Sequence, residues 1–347
     1  MKKLQLFTLI LVSNELEPRN LRRLNDISIP QIIVSSSNNT YTHDWQLLNI
    51  DQLDHEYCLQ HSYLRHRALK NGFDKPFFDK HQIPDSIIEF RNKTGTVLGS
   101  MLQHLMEELL IEIKQGYTKY THFSVLKDTD FNYKALSGLL VLKFNNYPFV
   151  VKISIEHPHT IVQPTSKSIQ AYGIFVVGGN LRHLTNFTRI PNLERIKAIL
   201  SYHPFYLRYL DFPRKWYWQP KQSHDLVITW RCNNQYDNVV IPGVYAVVSD
   251  FIDAEPNQPQ SDLNKLSMKV AADTGFLIDP HSGNIVIEKG TRNYVLLDTE
   301  NFRMMVGLSK SMKAKKYTGW LYELVFKSLK TMFFRTKQER LEQTMAE

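Results

Sequence analysis

Apolar positions change their spacing along this chain, and the change predicts where a helix gives way to strands. Between about residues 95 and 113 they recur every three or four positions, which is typical of a helix with one core-facing side. Further along, the runs 139–144 and 149–155 alternate, and the turn sequence 145–148 separates them. This pattern predicts a β-hairpin whose second strand carries an internal lysine, Lys152.

The second half of the chain repeats the change of period. An apolar run from Val244 to Ile252 predicts another strand, and residues 253–260 form a polar, proline-containing connection. Residues 262–274 predict a helix that ends at Gly275. Strands and helices in this order predict an α+β fold, with the connection as a hinge between two lobes.

Composition indicates a globular protein but does not identify its binding partner. The chain has 347 residues, of which 43% are hydrophobic and 12% aromatic, enough for one large core or two ordinary ones. Its formal charge of +8 favours acidic partners, but the basic residues are spread along the chain. The two cysteines, Cys58 and Cys232, are far apart, which argues against a zinc site and leaves room for one disulfide.

The N-terminal segment has two interpretations. Met1-Lys2-Lys3 followed by the apolar run 4–12 has the outline of a secretory signal, but Gln5 and Thr8 interrupt the run. A first buried strand is the favoured interpretation, so a cytoplasmic location is favoured over secretion. No apolar stretch approaches the length of about 20 residues that crosses a bilayer, so we expect no transmembrane span.

The chemistry-bearing residues lie in two neighbouring stretches after the predicted helix. Asp279 begins the sequence Asp-Pro-His-Ser-Gly-Asn, which ends at Asn284, and a β-rich run leads to Asp298. An Asp, an Asn five positions later and an Asp at the end of a strand can supply a base and two metal ligands. Transfer of a phosphoryl group from a nucleotide is a reaction that needs this set. The alternative is that Asp279 and Asn284 only form a tight turn.

These motifs resemble the protein-kinase-like superfamily over roughly residues 123–302. The stretch from Asp279 to Asn284 is similar to the atypical branches, the ubiquinone-biosynthesis kinases and the aminoglycoside phosphotransferases. The resemblance implies a bilobal kinase-like fold with a reduced C-terminal helical lobe and an N-terminal extension. We expect the extension at 1–120, a β-rich lobe with an inserted helix at 121–254, and the reduced lobe with the catalytic loop at 255–347.

The resemblance also implies roles for individual residues, with ATP and Mg²⁺ as cofactors. Lys152 is similar to the strand lysine that binds the α- and β-phosphates, and it is expected to share one cleft with Asp298. Asp279 would orient the acceptor, and Asn284 and Asp298 would hold metal. The remaining candidates are Ser249 and Phe251, in the strand that would contact adenine, and Glu194, as the helix glutamate that would pair with Lys152.

Two departures from the family leave two interpretations of the function. No glycine-rich phosphate loop precedes Lys152, and only 49 residues follow Asp298. The first interpretation is an atypical ATP- and magnesium-dependent phosphotransferase acting on a small molecule or an unusual acceptor. The second is a pseudokinase, a nucleotide-binding or interaction module without turnover. A basic segment at 309–316 is either a solvated flank or a weak contact for anionic surfaces.

Overall fold

The computed structural model describes residues 31–36, 39–44, 73–157, 183, 185–232 and 235–302, and these form a mixed α+β fold with several sheets and a few helices. The helices are α1 (Lys75–Lys80), α2 (Gly99–Lys114), α3 (Arg189–Leu200), α4 (Pro204–Tyr209) and α5 (Gln260–Asp273), with a short 3₁₀ helix at Ser282–Asn284. The strands are β1 (Gln31–Ser36), β2 (Asn39–Asp44), β3 (Ile87–Glu89), β4 (Thr96–Leu98), β5 (Phe123–Asn132), β6 (Ser137–Phe144), β7 (Phe149–Ile155), β8 (Leu210–Asp211), β9 (Lys215–Trp218), β10 (Asp225–Cys232), β11 (Gln235–Pro242), β12 (Val244–Asp250), β13 (Ile285–Ile287) and β14 (Tyr294–Leu296).

An antiparallel five-stranded sheet with the order β5-β6-β7-β12-β9 is the centre of the fold. Its β6–β7 hairpin and the strand β12 confirm the strands that the alternating pattern predicts. Strand β12 lies between β7 and β9, although residues 156–243 separate it from β7 in sequence. Smaller sheets surround this one, with the orders β11-β10-β1-β2, β13-β14-β8 and β3-β4.

The two faces of the five-stranded sheet differ in chemistry. In β7 the buried apolar residues Val151, Ile153 and Ile155 alternate with Lys152 and Ser154. Successive side chains of a strand point to opposite faces, so the apolar residues share one face and the polar residues the other. The sheet therefore has a largely apolar side and a side that carries several charged groups.

Helix α2 covers the apolar face. Its inward residues are buried in one hydrophobic cluster with the sheet, and they are Leu102, Met106, Leu109, Leu110 and Ile113. The helix begins at Gly99, later than the pattern predicts, because Thr96–Leu98 pairs with Ile87–Glu89 as a short hairpin. Residues from Ile83 to Tyr120, within the predicted N-terminal extension, thus belong to the same core as the sheet.

Helices α3 and α5 pack on the opposite, charged side. A second hydrophobic cluster joins Ile196 of α3 and Val270 of α5 to Tyr245 and Val247 of β12. The cluster continues into Ile285, at the start of β13. Helix α5 ends at Asp273, and Gly275 follows with a φ of +66°, a left-handed conformation that favours glycine. This confirms the predicted helix and its C-terminal stop.

Several sequence predictions fall outside the described residues. These are the N-terminal run 1–12, Cys58 with any disulfide it would form, the basic segment 309–316, and the part of the predicted C-terminal lobe after residue 302. Among the residues that are described, no helix combines the length and the apolar character needed to cross a membrane.

Candidate functional site

A lysine and an aspartate that are far apart in sequence form an ion pair on the charged side of the sheet. The Nζ atom of Lys152, in β7, lies 2.9 Å from Oδ2 of Asp298, which follows β14. The two side chains remain 22% and 25% exposed, so the pair lies at the edge of the core. Lys152 and Asp298 therefore lie in direct contact, and the cleft that they are expected to share stays a prediction.

Backbone hydrogen bonds hold the two predicted loops together. Strand β13 pairs with β14, and the N–H of Leu297 donates to the carbonyl of Asn284 at 2.8 Å. Further along, the N–H of Phe302 donates to the carbonyl of Leu277 at 3.1 Å. We call residues 277–284 and 297–302 the loop pair. Asp279 and Asn284 lie in its first member and Asp298 in its second, as the motif predicts.

The side chain of Asn284 is oriented by its own loop. Its Nδ2 donates to the backbone carbonyl of Asp279 at 3.0 Å. This bond fixes which end of the amide is the oxygen, and it points Oδ1 away from the loop carbonyl. Ser267 of α5 donates to the carbonyl of His281 at 3.1 Å, which anchors the same loop to the helix. The sequence between Asp279 and Asn284 is therefore a rigid turn as well as a candidate site.

Arg189, the first residue of α3, contacts both acidic residues of the second loop. Its Nη1 donates to Oδ1 of Asp298, and its Nη2 donates to Oε2 of Glu300 at 2.5 Å. Its Nε donates to the side chain of Asn186. Arg189 is only 3% exposed, so this is a buried, branched ion pair in which the guanidinium bridges two carboxylates.

Lys215, at the start of β9, is a third cation of the cluster. Its Nζ donates to the carbonyl of Leu297 at 3.0 Å and to Oγ1 of Thr299 at 2.6 Å. It is buried and lies on the same face of the sheet as Lys152. Three cationic side chains thus surround two carboxylates, with one positive charge in excess when all are ionised.

Burial and charge act in opposite directions on the pKa of Asp298. Burial alone raises the pKa of this carboxyl, but Arg189, Lys152 and Lys215 outweigh that effect and hold it well below its usual value. Burial lowers the pKa of Lys152, and Arg189 adds to the decrease while Asp298 opposes it. Asp298 is therefore an anion throughout the neutral range.

The pKa of Lys215 is lowered well below its usual value, mainly by burial, with Lys152 and Arg189 adding to the effect against the opposing attraction of Asp298. A lysine with a lowered pKa in the folded state is protonated more in the unfolded state. Stability therefore rises with pH between the folded pKa and the unfolded value of about 10.4.

We expect the free energy of unfolding to rise between pH 7 and 9.5, and Lys215→Met to remove part of that rise. One such group contributes at most about 1.4 kcal/mol per pH unit. Urea titrations at several pH values measure the slope, and Lys265→Met, at an exposed lysine, is the matched control. The range stops below pH 10 because burial raises the pKa of tyrosines such as Tyr245, which gives the opposite slope above it. Equal slopes in Lys215→Met and the wild type would contradict this account.

The predicted ion pair between Lys152 and Glu194 is not formed. Glu194 lies on the outer side of α3, with its side chain 56% exposed, and its Oε1 is 3.3 Å from Nε2 of His81. Five positions separate it from Arg189, a rotation of about 140° around a helix. The inward face of α3 is occupied by Arg189 and Asn192 instead. Helix phase, not residue type, decides which side chains of α3 face the charged side of the sheet.

The two remaining candidates lie on and beside β12. Ser249 is opposite Val150 of β7 and Lys215 of β9, so it shares the face of the sheet that carries Lys152. Phe251 follows the strand, its N–H donates to the carbonyl of Pro148 at 2.8 Å, and Nζ of Lys143 lies 3.9 Å from its ring centroid. Ser249 and Phe251 therefore border the region that Lys152 occupies, with half-buried side chains.

The hairpin before Lys152 closes with a short polar turn in place of a glycine-rich loop. Strands β5 and β6 are joined by residues 133–136. The side chain of Asn132 accepts the N–H groups of Lys134 at 3.0 Å and Ala135 at 3.2 Å. These two amides are therefore already used inside the turn. Gly138 has a φ of +112°, but an added Cβ there would meet the carbonyl of Asp130 at 2.2 Å, so close packing explains this glycine.

Sequence reasoning missed Arg189 and Lys215, although each leaves a signal. A cation in the first turn of a helix opposes the helix dipole, so Arg189 is unexpected there unless a nearby anion compensates for it. Lys215 precedes Trp216, Tyr217 and Trp218, and an alternating pattern places it on the same face as the buried Tyr217. Both residues are identified only once the fold brings Asp298 beside them.

Comparisons with known proteins return no match to a family model, to a curated protein or to a solved structure. Within the described ranges, no group of three or more His, Cys, Asp or Glu side chains is placed to hold a metal ion by itself. What indicates a function is the arrangement of Lys152, Arg189 and Lys215 around the loop pair.

Proposed function

We propose that this protein is an atypical kinase-like phosphotransferase that uses ATP and Mg²⁺ and acts on a small molecule or an unusual acceptor. The observation that carries the proposal is the 2.9 Å contact between Lys152 and Asp298, which are 146 positions apart. In protein kinases the phosphate-binding lysine lies on the third strand and faces a metal-binding aspartate. Here Lys152 lies on β7, the third strand of its sheet in chain order, and α3 follows it.

The floor of the proposed nucleotide site is the charged face of the sheet. Val141 is directly opposite Lys152, and Val150 is directly opposite Ser249. Val141 and Val150 are half-buried, and together with Phe251 they provide apolar surface next to the lysine. A purine ring binds to surfaces of this kind, where apolar contacts are combined with a few polar groups. This supports a base-binding role for the segment around Ser249 and Phe251.

The donor chemistry of the loop pair fits a magnesium nucleotide. The carboxylate of Asp298 and the oriented amide oxygen of Asn284 are hard oxygen ligands, and Mg²⁺ is bound by one or two such groups together with phosphate oxygens. Asn284 and Asp298 would hold the ion, which would neutralise charge on the transferring phosphoryl group. Lys152 would bind the remaining phosphates, and Asp279 would orient the acceptor hydroxyl. The bilobal arrangement is part of the same proposal.

The second candidate is a pseudokinase that binds nucleotide without turnover. Two observations favour it: Asp298 is already paired with Lys152 and Arg189, and Asn132 occupies the turn amides where a phosphate loop would be expected. Metal binding at Asp298 must therefore replace or share an existing ion pair. The two candidates differ in turnover and agree in nucleotide binding.

Titration with ATP and Mg²⁺ followed by thermal unfolding tests the shared part. A ligand at a concentration of about 100 times its Kd stabilises the folded state by about 2.7 kcal/mol, which is several degrees in Tm. We expect this shift in the wild type and its loss in Lys152→Met, with each protein compared with its own nucleotide-free Tm. Lys127→Met, at an exposed strand lysine that pairs with Asp130, should keep the full shift.

Phosphate release from ATP then separates the two candidates. A slow, magnesium-dependent release supports the phosphotransferase, and binding without release supports the pseudokinase. A wild-type protein whose Tm does not respond to ATP and Mg²⁺ would overturn both.

A further inference from the structure

Each of the four carboxylate oxygens of Asp298 and Glu300 accepts a hydrogen bond from a group of the protein. Oδ1 of Asp298 accepts from Arg189 and from the N–H of Glu300 at 3.0 Å, and Oδ2 accepts from Lys152 at 2.9 Å. Oε2 of Glu300 accepts from Arg189 at 2.5 Å, and Oε1 accepts from the hydroxyl of Thr185. Asp298 and Glu300, which are two positions apart in sequence, thus share the guanidinium of Arg189.

Hydrogen bonds hold both the side chain and the backbone of Arg189 in place. Its Nε donates to Asn186, and its backbone carbonyl accepts the hydroxyl of Thr299 at 2.5 Å. The side chain is almost completely buried at the start of α3. A planar guanidinium that bridges two carboxylates supplies one positive charge in a fixed position. A bound metal ion would neutralise the charge of the same two carboxylates in a similar way.

We propose that the guanidinium of Arg189 takes the place of a divalent cation at the Asp298–Glu300 pair, so that this protein binds nucleotide with at most one metal ion. The inference rests on the proposed nucleotide site and specifies its metal content. Kinases place two ions between such an aspartate, the loop asparagine and the phosphates. Here a second ion would compete with Arg189 for the same oxygen lone pairs and would be repelled by its charge. Asn284 and Asp298 would hold the remaining ion, and Lys152 would then exchange its contact with Asp298 for the phosphates.

The test removes the cation but keeps a long, unbranched side chain, and it uses Mn²⁺ alone as the probe. In Arg189→Met the two carboxylates lose their shared partner, and we expect Mn²⁺ to raise the Tm by several degrees. Binding followed by electron paramagnetic resonance should show at least a tenfold gain in Mn²⁺ affinity over the wild type. Arg189→Lys keeps a cation at this point and should resemble the wild type. Arg189→Met combined with Glu300→Gln removes one of the carboxylates and should lose the gain.

Arg189→Met also removes a buried ion pair, and its folding has to be checked separately. Folding that depends on added Mn²⁺ supports the proposal. If the variant folds in neither condition, Arg189→Gln, which is neutral but keeps hydrogen-bond donors, decides by the same measurement. A folded neutral variant without any gain in Mn²⁺ affinity would overturn the proposal.

Counting ions in the nucleotide complex separates this inference from the proposed function. With a non-hydrolysable ATP analogue we expect one bound Mn²⁺ in the wild type and two in the neutral Arg189 variant. Two ions in the wild type would overturn the role of Arg189 and leave nucleotide binding intact. Absence of analogue binding, combined with a gain of Mn²⁺ in the variant, would overturn the nucleotide site and leave the cation replacement as a property of the carboxylate pair.

Discussion

Asp298→Ala is expected to lower the free energy of unfolding by about 3 kcal/mol. Removing one partner of a buried ion pair leaves the others uncompensated, at a cost of about 3–5 kcal/mol, and the lower end applies because a quarter of this side chain is exposed. The variant leaves Lys152, Arg189 and Lys215 around Glu300 alone. Urea denaturation followed by tryptophan fluorescence measures the loss. Asp262→Ala, at an exposed pair with Lys265, should change stability by less than about 1 kcal/mol.

The pH dependence of the free energy of unfolding provides a second measure of the contribution of Asp298. The pKa of Asp298 in the folded state lies below its unfolded value of about 3.9, so its contribution is present above that pH and is lost as the pH falls through the folded pKa. We expect the wild type to lose more stability than Asp298→Ala when the pH falls below about 4. Parallel acid profiles, or a loss of stability no larger than that of the control, would show that the cluster contributes little.

Asp279→Asn is expected to reduce phosphate release from ATP by about 10²- to 10⁴-fold, the usual contribution of a general acid or base. Asn keeps the shape of the side chain but does not accept a proton, so nucleotide binding should be unchanged. Asp279 is in the right loop for this role because its backbone carbonyl holds the side chain of Asn284 at 3.0 Å. Phosphate release with water as the acceptor measures the rate without knowledge of the natural acceptor.

The control for this prediction is Asp225→Asn, an exposed carboxylate at the start of β10. It should leave both the rate and the Tm shift with ATP unchanged. A full rate in Asp279→Asn would assign Asp279 to the turn alone, which is the alternative that its position before Pro280 leaves open. A simultaneous loss of ATP binding would indicate damage to the loop pair instead of loss of the base.

Much of the fold was predictable because its strands have local signals. Alternation identifies the β6–β7 hairpin and β12, and Gly275 marks the end of α5. The position of β12 between β7 and β9 was not predictable, since it depends on a pairing between distant segments that no local pattern specifies. The residues Thr96–Leu98 continue the three-and-four spacing of apolar positions in α2, so the pattern predicts a helix where the structure has β4.

The candidate site was predictable where spacing carries the information. Asp279 and Asn284 belong to one loop and Asp298 to the next, and β13–β14 pairing brings them together as the motif predicts. The contribution of α3 to the site was not predictable from residue type. A helix of the right kind offers Glu194, but the turn of the helix directs it to His81 and directs Arg189 inward. In the sequence Lys215 looks like an ordinary lysine at the end of a strand. Only its burial in the fold shows that it belongs to the charged cluster.

The side chain of Asn192 connects the two members of the loop pair. Its Nδ2 donates to the carbonyl of Leu277 and to the carbonyl of Thr299, each at 2.9 Å, from the buried side of α3. One amide nitrogen thus connects the loop before Asp279 to the loop that follows Asp298. The spacing between the candidate base and the candidate metal ligand is therefore set by this helix together with the backbone hydrogen bonds that join the two loops. A rotation of α3 would therefore move both loops at once, which couples this helix to the positions of Asp279 and Asp298.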